Sequence, residues 1–196
     1  MNILPTRCFL DVDGVLADFI GGANKLLGKE HPWLKPENHG KWGGEETYGL
    51  TPREFWDPMG EEFWANLEWT PEGTDIVDLV ESAFGYENVS LLTTPCWTHG
   101  SVAGKIRWIN ENLPKYRQKF LIGYQKHFCA SPNTVLVDDR DKNVEMFRDG
   151  GGFGVLVPRP WNSAYNIEPW LTTDLKIIFD ILTGKSKDLK DGNIPQ

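Results

Sequence analysis

Long hydrophobic runs are absent from this chain, and none of its apolar stretches approaches the roughly 18 residues that a membrane-spanning helix needs. Its first residues, M-N-I-L-P-T-R-C, hold no apolar segment ahead of a cleavage site, so a secretory leader is not expected. Cysteine is scarce. Cys8, Cys96 and Cys129 form neither a C-x-x-C pair nor an even framework, which argues against a disulfide scaffold and for reduced thiols in a cytoplasmic protein. An excess of positive charge is missing as well. With 20 basic against 28 acidic residues the net charge is −8, which argues against a broad surface for nucleic-acid polymers or anionic membranes. It does not exclude a small phosphate-bearing ligand, because a bound metal ion can supply the missing positive charge. Repeats and low-complexity tracts are lacking too. What remains, 196 residues of which 40% are hydrophobic, suffices for one domain, or one core with a small insertion.

The chain is organised around C-F-L-D-V-D-G-V-L-A-D-F, residues 8–19. A short apolar run ends in Asp11 and Asp13, followed at once by Gly14, which is how a buried strand reads where it surfaces at the carboxyl edge of a sheet. Strand alternation would point Asp11 and Asp13 the same way, with Val12 opposite. Two carboxylates so placed repel each other unless a cation or a shared proton relieves them. D-x-D-G also occurs in ordinary turns, so its meaning depends on what the rest of the chain brings to the same edge.

Downstream, residues 19–71 differ in character from the remainder. Five of the nine tryptophans fall here (Trp33, Trp42, Trp56, Trp64 and Trp69), broken up by Gly and Pro. A helix is expected over 17–27, interrupted at Gly21-Gly22 and capped by Asp18. A second is expected where Thr51-Pro52-Arg53-Glu54 forms a capping box. From residue 74 strands and helices alternate regularly. Thr74 would cap a helix with Ile76, Val77, Val80 and Phe84 on its buried face, and strand 89–92 follows, ending at Thr93-Thr94. Val102, Ile106, Ile109 and Leu113 recur at helical spacing. Strand 120–122 leads to Lys126, strand 134–137 ends in Asp138-Asp139-Arg140, and Asp141 would cap the next helix. Strand 153–157, a helix over 175–182 and a polar tail complete the chain. Such alternation means an α/β protein with a doubly wound parallel sheet. The expected division is a core of residues 1–18 and 72–183, a small helical insertion of 19–71, and a tail of 184–196.

In a parallel sheet the four polar strand ends lie along one edge. Together they hold what phosphoryl transfer through an aspartyl-phosphate requires. A carboxylate can attack phosphorus, and a neighbouring acid can protonate the leaving alkoxide and later activate water. A hydroxyl and an ammonium can hold the phosphoryl oxygens, and paired carboxylates can hold Mg²⁺, a hard cation that prefers oxygen. Aromatic side chains of the insertion could stack on a nucleobase, and Phe19, Trp42 and Trp64 are the candidates.

D-V-D-G-V-L-A-D-F, L-L-T-T and V-L-V-D-D-R, with Lys126 between the last two, resemble the motifs of the haloacid dehalogenase superfamily of phosphohydrolases, in the same order. More narrowly, T-x-P after the second strand and the D-D-R ending resemble the 5′(3′)-deoxyribonucleotidase branch, with residues 19–71 in the place of its cap. The resemblance implies Asp11 as nucleophile and Asp13 as general acid/base. It implies Thr93 and Lys126 as phosphate ligands, with Thr94 keeping a hydroxyl where serine is commoner. It also implies Mg²⁺ held by Asp11, the Asp13 carbonyl and a carboxylate of Asp138 or Asp139, both of which are retained. Lys105 and Lys142 compete for the lysine role; Lys105, mid-helix, is expected to be solvated. Arg140 is expected to orient the acidic pair by a charge-assisted hydrogen bond, and Trp161-Asn162 to lie near the lip of the site. The expected activity is Mg²⁺-dependent hydrolysis of (deoxy)nucleoside monophosphates. The alternatives are a phosphatase for a sugar phosphate or other small phosphometabolite, and a non-hydrolytic phosphate-binding module. The expected partner is a small phosphomonoester, with no nucleic-acid polymer and no membrane; a homodimer is left open.

Overall fold

β1 (Arg7–Leu10) lies at the centre of a five-stranded parallel sheet, flanked by β2 (Val89–Thr93) and β4 (Thr134–Asp138). β3 (Phe120–Ile122) extends the β2 side and β5 (Phe153–Leu156) the β4 side, giving the order β3-β2-β1-β4-β5. Successive connections therefore wind away from β1 in both directions. The carboxyl end of β1 sits at the point where the winding reverses, which is where open α/β sheets bind ligands. The expected doubly wound α/β fold is what the chain adopts. The computed structural model describes residues 4–166, 176, 179, 180 and 182–184.

Burial on both faces explains the strands' composition. All five residues of β4 are buried, and Val-Leu-Val is the continuous apolar run such a strand needs. β2 and β4 each run one residue further than the sequence suggests, so Thr93 and Asp138 are their last members. β5 stops one residue earlier than expected, at Leu156.

Between β1 and the helix α4 (Gly73–Phe84) the chain forms α1 (Phe19–Leu27), a series of 3₁₀ turns, α2 (Pro52–Trp56) and α3 (Glu61–Ala65), and adds no strand to the sheet. α1 starts at an Asp18 cap, whose carboxylate accepts from the Gly21 N–H at 2.9 Å. Its two glycines do not interrupt it. They admit close neighbours, since a Cβ on Gly22 would lie 2.4 Å from Leu67. The Thr51–Glu54 capping box of α2 forms as expected. Thr74 does not cap α4: the helix starts at Gly73 with Glu72 in the cap position, so Thr74 is already inside it. Nor does Asp141 cap α6 (Asp141–Asp149). It is that helix's first residue, Arg140 precedes it, and its carboxylate accepts from the Ser163 N–H instead.

The largest departure from the sequence pattern is α5 (His99–Asn112). Of the aliphatic stripe, Ile109 and Leu113 are buried, but Val102 is 38% exposed, and Ser101, Gly104, Lys105 and Trp108 are buried in addition. The reason is the backbone of α3, which lies directly on α5. A Cβ on Gly104 would come within 2.4 Å of the Glu61 carbonyl, and one on Gly100 within 2.5 Å of the Glu61 nitrogen. The small-residue face sets the contact and carries Lys105 inward with it. Gly104→Ala should therefore lower stability by about 1–3 kcal/mol, against alanine's helix-propensity advantage of about 1 kcal/mol. Chemical denaturation measures this, and a neutral or stabilising alanine would mean that α3 stands off from α5.

The expected helix at 175–182 and the tail beyond it lie mostly outside the described residues; Lys176, Phe179, Asp180 and Leu182 are helical. Among the described residues no helix is long and apolar enough to cross a membrane.

Candidate active site

The ends of β1, β2 and β4 and the turn after β3 bring the four polar segments together. β1 ends at Leu10, and Gly14 turns the chain at φ 74°. The extended conformation therefore stops before Asp13, and the two aspartates acquire different partners. Asp11 turns toward β4. Its Oδ1 accepts from the Val12 N–H at 2.8 Å and pairs with the Lys126 ammonium at 2.7 Å. Asp13 turns toward β2, where its Oδ2 accepts from the Thr93 hydroxyl at 2.9 Å and from the Lys105 ammonium. Its Oδ1 is buried and has no hydrogen-bond partner among the described residues.

Lys126 opens a 3₁₀ turn after β3 and is buried. It reaches Asp138 as well as Asp11, at 2.7 Å in each case. Burial alone would lower its pKa, but the charges of Asp11 and Asp138 outweigh burial and hold it above the ordinary lysine value. Asp138 is saturated. Oδ1 accepts from the Arg140 backbone N–H at 2.9 Å, Oδ2 from Lys126, and the Asn143 amide reaches both oxygens at 3.0 and 3.1 Å. Asp139 is nearly bare by comparison, with Trp161 Nε1 donating to its Oδ2 at 2.6 Å.

One carboxylate oxygen each from Asp11, Asp138 and Asp139 lies within 4.8 Å of the others. Oxygens at that spacing suit a hard cation with metal–oxygen distances of about 2.0–2.6 Å. Charge argues the same way. Four carboxylates face two ammonium groups, Lys105 and Lys126, leaving an excess of negative charge in a buried space. Burial, then the neighbouring carboxylates, push Asp11 well above the usual aspartate range despite Lys126. Burial and Asp138 push Asp139 up to about 7, against the lowering effects of Trp161, Lys126 and Arg140. The residues present fit a divalent cation.

A pH dependence follows from these shifts. Both carboxyls have folded-state pKa values above their unfolded ones, so the stability they contribute is present at low pH and is lost as pH rises through the folded values. With a chelator present, the melting temperature should fall between the ordinary aspartate pKa of 3.8 and about 7. Added Mg²⁺ should raise it more at pH 7.5 than at pH 5. A chelated protein whose melting temperature is flat across that window would contradict the crowding of these charges.

Several candidates take other places than the sequence suggests. Lys105 is not solvated: it is 2% exposed, lies 3.2 Å from the Thr93 hydroxyl and stands over the Trp64 ring at 4.2 Å. The arrangement of α3 on α5 decides this, and the Gly100/Gly104 spacing ahead of Lys105 was the signal available. Arg140 orients Asp138 through its backbone N–H; its guanidinium lies 5.0 Å from the Trp42 ring centre, which takes it away from the role expected for it. Thr94 gives its hydroxyl to the Gly123 carbonyl at 3.3 Å. Phe19 and Trp64 are buried and stack on each other, 5.3 Å between centroids, while Trp42 is half-buried and stacks on Trp33. Trp161 reaches the site from the lip expected for it, donating to Asp139, whereas Asn143 and Arg159 carried no signal in the sequence. Arg159 Nε donates to the Gly14 carbonyl at 2.6 Å, pinning the loop that holds both aspartates.

A family model described as "5′ nucleotidase, deoxy (Pyrimidine), cytosolic type C protein" matches residues 5–176. The chain belongs to this family. It is a phosphohydrolase of the haloacid dehalogenase superfamily, a hydrolase of phosphoric monoesters in the 5′-nucleotidase branch. Similarity to solved structures extends the fold alone. A dehalogenase with an intermediate complex superposes at a TM-score of 0.51 and 15% identity, over 86% of this chain and 92% of that one. A second dehalogenase structure gives 0.50 and 15%, over 84% and 90%. Within the 5′ nucleotidase framework, the Asp11/Asp13 loop, Thr93, Lys126 and the Asp138/Asp139 pair are the groups that meet at one sheet edge.

Proposed function

We propose that this 5′ nucleotidase hydrolyses deoxynucleoside monophosphates with Mg²⁺ as its cation, and that residues 19–71 form a cap over the sheet edge. The observation that carries this reading is the Lys126 ammonium, bound at 2.7 Å to both Asp11 and Asp138 in a buried pocket that also holds Asp139. Such a cation can let go of one carboxylate and turn to a phosphoryl oxygen.

In the proposed reaction the Asp11 carboxylate attacks phosphorus and the phosphorus–oxygen bond to the nucleoside breaks. Asp13 gives its proton to the departing alkoxide. It then takes a proton from a water that attacks the aspartyl-phosphate, releasing phosphate and restoring Asp11. Thr93 and Lys126 hold the phosphoryl oxygens as negative charge redistributes among them. Lys105, beside both Asp13 and Thr93, keeps that pair oriented. Asp11 and Asp139 are the proposed direct ligands of the cation, because the lone pairs of Asp138 are already taken by Lys126, Arg140 and Asn143. When bound, Mg²⁺ supplies the positive charge that lets a phosphate dianion approach Asp11.

Support for a nucleoside comes from the aromatic lining of residues 19–71. Phe19 and Trp64 stack into the interior, which leaves the half-buried Trp42 to meet a base. The family's name, with its deoxy and pyrimidine terms, favours a deoxypyrimidine. All three cysteines are free, as a reducing compartment requires. A panel of deoxy- and ribonucleoside 5′- and 3′-monophosphates and sugar phosphates, assayed with Mg²⁺, tests the proposal. Highest kcat/KM on a deoxynucleoside monophosphate is the expected result; preference for a sugar phosphate would overturn it.

A further inference from the structure

Trp161 stands outside every motif, yet it is 5% exposed and supplies the one hydrogen bond that the Asp139 carboxylate accepts among the described residues, at 2.6 Å to Oδ2. The Asp13–Gly14 turn closes on the same oxygen, since a Cβ on Gly14 would lie 2.3 Å from Oδ2 and 3.4 Å from Oδ1. The loop that carries Trp161 is itself locked. Asn162, fully buried, donates to the Asp139 and Val157 carbonyls, both at 2.8 Å, and accepts from the Arg159 N–H at 3.2 Å. The indole also packs edge-on against Trp33 and Trp42, with centroids at 5.5 and 6.2 Å. It thus touches both the acidic cluster and the aromatic lining of residues 19–71.

Asp138 and Asp139 are adjacent in the chain but are held very differently. Asp138 is gripped by an ammonium, an amide and a backbone N–H, whereas Asp139 is held by a single neutral donor. Indole N–H is suited to that task. It donates without bringing a positive charge that would compete with a metal, and it has no acceptor that could turn the carboxylate around. A donor that fixes a metal-binding carboxylate is typically worth ten- to a hundredfold in metal affinity.

We propose that Trp161 is a positioning residue of the cation site, holding Asp139 through Oδ2 so that Oδ1 faces the ion, and joining that carboxylate to the aromatic wall of Trp33 and Trp42. The inference rests on the reading of the acidic cluster as a divalent-cation site.

Direct Mn²⁺ binding to the full chain without substrate, followed by electron paramagnetic resonance, tests this. Trp161→Phe keeps the packing and removes the N–H. It should weaken Mn²⁺ binding about ten- to a hundredfold while changing kcat at saturating metal far less. Unchanged affinity in a variant that melts cooperatively would overturn the inference. Should that variant not fold, tryptophan-labelled wild-type protein decides. The Trp161 indole N–H resonance, assigned through its contacts with Trp33 and Trp42, should move during Mg²⁺ titration, and a resonance that stays fixed would overturn the inference. A wild-type protein that binds no Mn²⁺ would instead sink the cation-dependent reading itself, so the two failures are distinguishable.

Discussion

Asp11→Asn should lower turnover by about 10⁴-fold or more, the loss seen when a covalent nucleophile is removed, while leaving the protein folded. The amide is nearly isosteric and no longer nucleophilic toward phosphorus. Stability gives an independent readout. In the wild type without metal, Asp11 is a buried carboxyl whose pKa is raised by desolvation and by Asp138, Asp13 and Asp139, with only Lys126 acting the other way. Replacing it with a neutral amide removes part of that repulsion, so the variant in chelator at pH 7.5 should melt no lower than the wild type. The same substitution removes a metal ligand, so Mg²⁺ should stabilise the variant much less. Steady-state assay on the preferred nucleotide, with melts in chelator and in Mg²⁺, measures all three effects. Retention of more than about a hundredth of wild-type kcat would rule out the covalent route.

Lys126→Met should be the most destabilising single change at the site. Its ammonium is 2% exposed and is the cation in contact with both Asp11 and Asp138, so methionine fills the space but leaves two buried carboxylates uncompensated. Breaking a buried ion pair from one side costs about 3–5 kcal/mol, which for a chain of this length is a fall of roughly 10 °C in melting temperature. Mg²⁺ should recover part of the loss, because it neutralises the same carboxylates, while kcat/KM should stay far below wild type for want of the phosphate-directed ammonium. If the variant melts like the wild type in chelator at pH 7.5, Lys126 is not what holds these charges together.

The two variants separate stability from chemistry at adjacent atoms. Asp11→Asn removes reactivity and relieves repulsion; Lys126→Met removes relief and leaves the nucleophile in place. A chelated stability that falls in Lys126→Met and does not fall in Asp11→Asn, with losses of activity in both, is the pattern that a cation-dependent aspartyl-phosphate mechanism requires.

Legibility in the sequence followed range along the chain. Alternating apolar runs and helical spacings were enough for the parallel α/β fold, and strand ends pointed to Asp11, Asp13, Thr93, Lys126, Asp138 and Asp139, because these polar residues lie at or within a few residues of the ends of short apolar runs. Local chemistry also sufficed for the Asp18 cap and the Thr51–Glu54 box. Thr74 and Asp141 show where it stops being enough: both are good caps by type, but the helices start where packing lets them, one residue before the first and at the second. Lys105, expected to be solvated from its place in mid-helix, is buried because the inward face of α5 includes the side whose glycines admit α3.

By itself, then, the sequence determined the sheet, its order of motifs and which carboxylates would gather at its carboxyl edge, since these depend on burial patterns a few residues long. Only the tertiary structure decided how the gathered groups divide their work: Asp13 turned to Lys105 and Thr93, Asp138 saturated by Lys126 and Asn143, and Asp139 left to Trp161. Those assignments join residues far apart in the chain, and they are governed by backbone approach and competition for lone pairs, neither of which leaves a periodic trace in the sequence.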